Sequence, residues 1–216
     1  RYRTGRAMPP DPSDTIAQII KSAGAEFLRN GYAGTSLRKI AAEAGLTTGA
    51  LYRHYADKES LYRALVEPVY HTFFDSLREE TDHYEGLLDS EGLNAMWEDS
   101  GRTVEKIFRY AYDHLAAVRL LISASKQTVF GDFKERLVWM DVDLTMRYLR
   151  TARNRGYRIR KLSRKEVYLV TMGQYAGFFE ILLQFDDLNV ALNYVRNYSA
   201  FCTGGWKKLL EEDYNT

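Results

Sequence analysis

Residues 35–62 constrain this chain more than any other stretch: Thr-Ser-Leu-Arg-Lys-Ile-Ala-Ala-Glu-Ala-Gly-Leu-Thr-Thr-Gly-Ala-Leu-Tyr-Arg-His-Tyr-Ala-Asp-Lys-Glu-Ser-Leu-Tyr. Leu37, Ile40, Ala41 and Ala44 recur at i, i+3, i+4 and i+7, so they share one face of a short helix. Ser36 stands at its N-cap, and Gly45 falls just past its end, where a positive φ meets no Cβ penalty. Thr47 then caps a second short helix, turning Leu51 and Tyr55 inward and Thr48, Ala50, Tyr52 and Arg53 outward. Two helices joined by a turn of about three or four residues with a glycine form a helix-turn-helix, whose second helix fits the DNA major groove. The spacing predicts a DNA-reading module.

The flanks agree. Ile16, Ile19, Ile20, Ala23, Phe27 and Leu28 make an apolar stripe of helical period, with Thr15 and Gln18 as its start signal and Asn30-Gly31 as its stop. Asp57-Lys58-Glu59-Ser60-Leu61 opens another helix, expected to run from Asp57 to about Tyr84 with Pro68 inside it as a kink. The run Gly31-Tyr32, Thr35-Ser36, Ile40-Ala41, Ala44-Gly45, Leu51-Tyr52-Arg53-His54-Tyr55, Lys58 and Leu61 closely resembles the N-terminal domain of the TetR (tetracycline-repressor-like) family, over roughly residues 15–65.

That resemblance implies an all-α chain: a three-helix helix-turn-helix domain (13–63) behind an N-terminal arm (1–12), then a helical-bundle effector and dimerisation domain (64–216). It implies a regulator, most often a repressor, that binds a double-stranded palindromic operator as a homodimer and is released by a small-molecule effector. A ligand-independent regulator or an activator is the alternative, and a helical enzyme the more distant one. Position by position, Arg38 matches a residue that reaches a base edge from the first helix of the motif. Thr48, Gly49, Ala50 and Arg53 match groove-facing positions, and Ser36, Thr47, Tyr52, His54 and Lys58 match phosphate contacts. Gly49 is smaller than its counterpart in some members, which leaves Arg38 and Arg53 to carry the polar readout; arginine to guanine is the commonest such contact.

Charge follows the same division. Residues 1–63 hold ten Lys/Arg against six Asp/Glu, while the whole chain is only +1. A basic module joined to a slightly acidic remainder fits local phosphate contact rather than wholesale coating of nucleic acid. The arm, with Pro9, Pro10, Pro12 and three arginines, reads as mobile, either an ordinary tail or a minor-groove arm. A single cysteine, Cys202, forms no intrachain disulfide and suits a reducing cytoplasm. There is no apolar run of about 18 residues to span a membrane, no metal-ligand spacing and no cofactor motif.

Residues 85–216 read as five further helices, near 93–113, 115–126, 133–155, 163–185 and 188–212, with Glu85-Gly86, Glu91-Gly92, Phe130-Gly131 and Arg155-Gly156-Tyr157 as separators. By the resemblance, the middle helices enclose an effector cavity. The large side chains Trp97, Phe108, Tyr112, His114, Trp139, Met140, Met172 and Tyr175 are its candidates, with ordinary core packing as the plainer reading for each. The last two helices carry small residues (Gly173, Ala176, Gly177, Ala200, Gly204, Gly205) and correspond to the family's dimer interface; intrachain packing is the competing explanation. No catalytic constellation emerges. Ser123 and Ser125 lack a neighbouring His-Asp pattern, and Asp141 and Asp143, two apart on a helix, face different ways. Nine basic residues between Arg147 and Lys165, with no acid among them, read as a solvated face or, more sharply, an anion site around Arg158, Arg160 and Lys161.

Overall fold

The computed structural model describes residues 12–124 and 128–211. The expected arm lies outside the described residues apart from Pro12, as does Ser125. All regular structure among the described residues is helical: α1 (Pro12–Gly34), α2 (Leu37–Glu43), α3 (Thr48–His54), α4 (Lys58–Ser90), α5 (Leu93–Asp113), α6 (Leu115–Ile122), α7 (Phe133–Asn154), α8 (Arg164–Gln184) and α9 (Leu188–Leu210). The chain divides after Pro68 into two compact units, a few residues beyond the boundary expected at 63. No helix among the described residues is long and apolar enough to cross a membrane.

In the first unit, Ile19, Ala23 and Phe27 of α1 meet Ile40, Ala41, Leu51, Leu61 and Val66, all buried. The apolar stripe is narrower than its period suggested: Ile16 and Leu28 are exposed at its edges. The helix also starts at Pro12, a first-turn residue by virtue of its fixed φ, so Thr15 sits inside it rather than capping it. Helical dihedrals stop at Gly31, whose φ of 66° a larger residue rarely adopts. Beyond it, the Tyr32 ring lies 6.0 Å from Phe27 and 5.2 Å from Tyr62, and the Thr35 hydroxyl donates to the Gly31 carbonyl at 2.7 Å. Glu26 is fully buried and pairs at 3.2 Å with Arg29, which also reaches Glu43 of α2.

In the second unit, α5 packs along α9 and α7 along α8. Its main core gathers Leu88, Met96, Val138, Val142, Leu149, Ala152, Ile159, Leu162, Val167 and Leu210. The separator expected at Glu85-Gly86 does not exist, because α4 continues to Ser90. Contacts from beyond α7 hold that last stretch: Tyr157 donates to the Leu88 carbonyl at 2.8 Å and Arg155 to that of Glu85 at 2.6 Å. The true stop is Gly92, at φ 84°. Arg119 of α6 donates to the Leu182 and Phe185 carbonyls at 2.8 and 2.9 Å, closing the open C-terminal end of α8.

Candidate functional site

The turn between α2 and α3 is built by its own hydrogen bonds. Leu46 N–H donates to Ala41 C=O at 2.8 Å and Gly45 N–H to Ala42 C=O at 3.1 Å, with Gly45 at φ 70°. This is a Schellman closure, and it fixes how α3 leaves α2. Thr47 caps α3, its hydroxyl oxygen accepting from Ala50 N–H at 3.1 Å. Ser36 occupies the N-cap of α2, but its side chain makes no capping bond. A reciprocal Asp57–Ser60 cap starts α4: Ser60 N–H donates to Asp57 Oδ1 at 2.7 Å and Asp57 N–H to Ser60 Oγ at 3.1 Å, holding the Asp57 carboxyl below its usual range.

Inward, α3 anchors on Leu51, which is fully buried. Outward, Arg38, Gly49, Tyr52, Arg53 and His54 are exposed, with Thr48 and Ala50 half-buried between them. Among the described residues, neither Arg38 nor Arg53 has a hydrogen-bond or ion-pair partner, in contrast to Arg29 and Arg63, which are held by glutamates. A Cβ added at Gly49 would meet nothing within 4 Å, so packing within the chain does not require glycine there. Lys58 has a role that its spacing did not reveal: its ammonium donates to Ala33 C=O at 3.1 Å and lies 4.9 Å over the Tyr32 ring, tying the start of α4 to the end of α1.

The second feature is a cavity of about 180 Å³ within the second unit, lined from five helices. Leu77, Glu80, Thr81 and Tyr84 come from α4; Met96, Trp97, Ser100 and Val104 from α5; Asp141, Thr145, Tyr148 and Leu149 from α7; Gln174 and Phe178 from α8; and Ser199, Cys202, Thr203, Trp206 and Leu210 from α9. Of the eight expected effector residues, only Trp97 lines it. Tyr175 stands one step behind, hydrogen-bonded to Asp141, and buried Phe108 packs against Phe178 with ring centroids 5.6 Å apart. The other five lie elsewhere. Tyr112 donates to the Phe185 carbonyl at 2.8 Å, and His114 is exposed at the α5–α6 junction beside Tyr110. Trp139 is half-buried, stacked on Tyr168 and within cation–π distance of the Arg164 guanidinium, and Met140 borders a groove with Phe74 and Arg78. Met172 is exposed on α8. Their placement has one cause: large apolar side chains fill interfaces wherever helices meet, so size alone does not locate this cavity.

Sequence reasoning missed Glu80, and it weighed Asp141 only as a catalytic carboxylate, not as part of a cavity wall. Burial raises the Glu80 carboxyl to about 8, with Asp141 adding to the rise, and burial raises Asp141 to about 6 against hydrogen bonds from Tyr175 and Thr145. In the basic run, several of the arginines are held by carboxylates of the same chain. Arg147 pairs with both Asp82 and Glu85, Arg155 with Asp89, Arg160 with Glu166 and Arg164 with Asp143.

Comparison with known proteins bears on both features. The profile of bacterial regulatory proteins of the tetR family matches residues 19–65. The HTH-type transcriptional regulator TtgR of Pseudomonas putida is 38% identical over 86 residues, which are 40% of this chain and 37% of TtgR. The HTH-type transcriptional repressor AcnR of Corynebacterium efficiens is 32% identical over 131 residues, 60% of this chain and 58% of AcnR. In these matches the chain thus spans less than two thirds of its curated relatives. The solved SmeT–triclosan complex has the same fold at 21% identity, with a TM-score of 0.60 over 93% of each chain. Residues 19–65, with the Schellman turn and the outward face of α3, are thus the part of this chain that matches the tetR family of bacterial regulatory proteins.

Proposed function

We propose that this chain is a sequence-specific transcriptional repressor that binds a palindromic operator as a homodimer in the cytoplasm and is released when a small molecule occupies the cavity of its second unit. The observation that carries the reading is the outer face of α3: small Gly49 and Ala50 open a close approach, and the unpartnered guanidinium groups of Arg53 and of Arg38 on α2 flank it. Arg38 and Arg53 read base edges, while Ala50 and Thr48 offer methyl contacts to thymine. Ser36, Thr47, Tyr52, His54 and Lys58 position the backbone phosphates. Thr47 keeps a hydroxyl hydrogen to donate, and Lys58 keeps a third N–H beyond its intramolecular bonds.

Further observations support the rest. Leu169, Met172 and Leu183 on α8, and Val190, Tyr194 and Phe201 on α9, are exposed at helical spacing, an apolar stripe suited to a four-helix dimer interface. The cavity, together with the small molecule in the SmeT–triclosan complex, supports ligand control, and the name of AcnR supports repression.

Selection from random DNA duplexes, run alongside sizing of the free protein, tests the proposal. A two-fold symmetric motif with half-sites about one helical turn apart, bound by a dimer, is the expected result. A monomer, or no enriched sequence, refutes it.

A further inference from the structure

The wall of the cavity is chemically one-sided. Tyr84, Trp97 and Trp206 supply aromatic faces, Glu80 and Asp141 supply carboxyls, and no Lys, Arg or His is among the residues that line it. Two more polar groups in the wall have hydrogen-bonding capacity that the described residues do not use. The Tyr148 hydroxyl and the Ser199 hydroxyl belong to residues only 5% and 8% exposed, both line the cavity, and neither has a hydrogen-bond partner among the described residues. Buried hydroxyls left unpaired are costly, so such groups are normally met by water or a ligand. A carboxylate pair walled by aromatic rings and lacking an internal base is complementary to positive charge, which the rings stabilise through their faces.

Taking the cavity as the effector site proposed above, we infer that its ligand is a small organic cation, an ammonium group on a body about the size of one ring. The size follows from the volume: an apolar cavity of about 150 Å³ admits benzene, and this one measures about 180 Å³. The ammonium lies between Glu80 and Asp141, and the organic body rests against Trp97 and Trp206. The groups facing each acid set how it titrates. Glu80 is faced by Asp141 across the cavity, by Asp99 and Lys106 of α5 and by Glu79 beside it; Asp141 is faced by Tyr175 and Thr145. Desolvation dominates both, and near neutral pH Glu80, at about 8, holds a proton that a cation displaces.

Titration calorimetry on the full chain, with Trp97 and Trp206 as fluorescent reporters, tests the assignment. The probes are phenyltrimethylammonium, its neutral isostere tert-butylbenzene, and benzoate. The cation is expected to bind at least about tenfold more tightly than either of the others, and Glu80→Gln or Asp141→Asn to weaken it by about tenfold or more. Because this cation never titrates, its affinity should rise from about pH 5 to pH 8 as the carboxyls ionise, and that rise should shrink in each variant. Equal binding of the isostere or benzoate, indifference of both variants, or no binding by any probe overturns the cation assignment. Operator affinity measured with the same probe separates the two readings. Selective cation binding that leaves operator affinity unchanged upholds the site and refutes its effector role.

Discussion

Asp141→Asn should make this protein more stable at neutral pH, although it removes a hydrogen-bonded group from the interior. Burial lifts the Asp141 carboxyl from 3.8 to about 6. Its folded value therefore lies above its unfolded one, so across about pH 4–6 the folded state holds a proton that the unfolded chain releases. Stability falls as pH rises through that window, and the loss is complete above it. Two units at roughly 1.4 kcal/mol each give an upper bound of about 3 kcal/mol at pH 7. Part of the Asp141 surface faces the cavity, so a gain of about 1–2 kcal/mol is the working figure. Asparagine keeps an oxygen for Tyr175 and Thr145 while shedding the charge. For a unit of this size that is a rise in Tm of about 2–8 °C at pH 7, shrinking to nothing near pH 4. Thermal melts followed by circular dichroism from pH 4 to pH 8 give the comparison. Parallel curves for wild type and variant, or a variant less stable at every pH, would refute the reasoning.

Other substitutions probe separate parts of the molecule. Gly177→Ala should destabilise the second unit by about 1–3 kcal/mol in denaturant titration, because its Cβ would overlap the Tyr198 ring that crosses α8 there and donates to the Gly173 carbonyl; an unchanged midpoint would mean the ring moves aside freely. Phe201 is 75% exposed on α9, so Phe201→Glu should convert dimer to monomer in sedimentation without loss of helix signal, and a persistent dimer would place the interface elsewhere. Lys58→Met should cost about 1 kcal/mol of stability through the lost bond to Ala33 and lower the salt slope of DNA binding by about one unit. A preserved slope assigns Lys58 to the fold alone.

The helix-turn-helix was legible because its signals are local. Ser36, Gly45 and Thr47 fall at fixed offsets from an apolar quartet, and the backbone conformation at each follows from the residue itself. Gly86 and Gly92 show the limit of such signals. Both looked like stops, yet only Gly92 has a positive φ; at Gly86 contacts from Tyr157 and Arg155 carry α4 onward. A lone helical glycine costs only about 1 kcal/mol, which tertiary contacts outweigh. The wall of the cavity was barely legible, Trp97 apart. It comes from five helices, each giving a few residues that look ordinary on their own amphipathic surface, and a hollow is a property of how helices meet. Gly177 was half legible: its smallness was noticed, but the structure gives the partner as Tyr198 of the same chain. The partners of the basic run were not legible for a similar reason, since Asp82, Glu85 and Asp89 lie far back in the sequence on α4, and Asp143 and Glu166 lie on α7 and α8.

The central claim is that the outer face of α3 reads DNA. Fluorescence anisotropy with the selected operator, at one fixed salt concentration, tests it most directly by comparing wild type with Arg53→Ala. The exposed and unpartnered Arg53 guanidinium leads to a loss of about 1–3 kcal/mol, or roughly tenfold to a hundredfold in affinity, with non-specific binding and melting temperature nearly unchanged. Operator affinity equal to wild type in the folded variant would contradict the account.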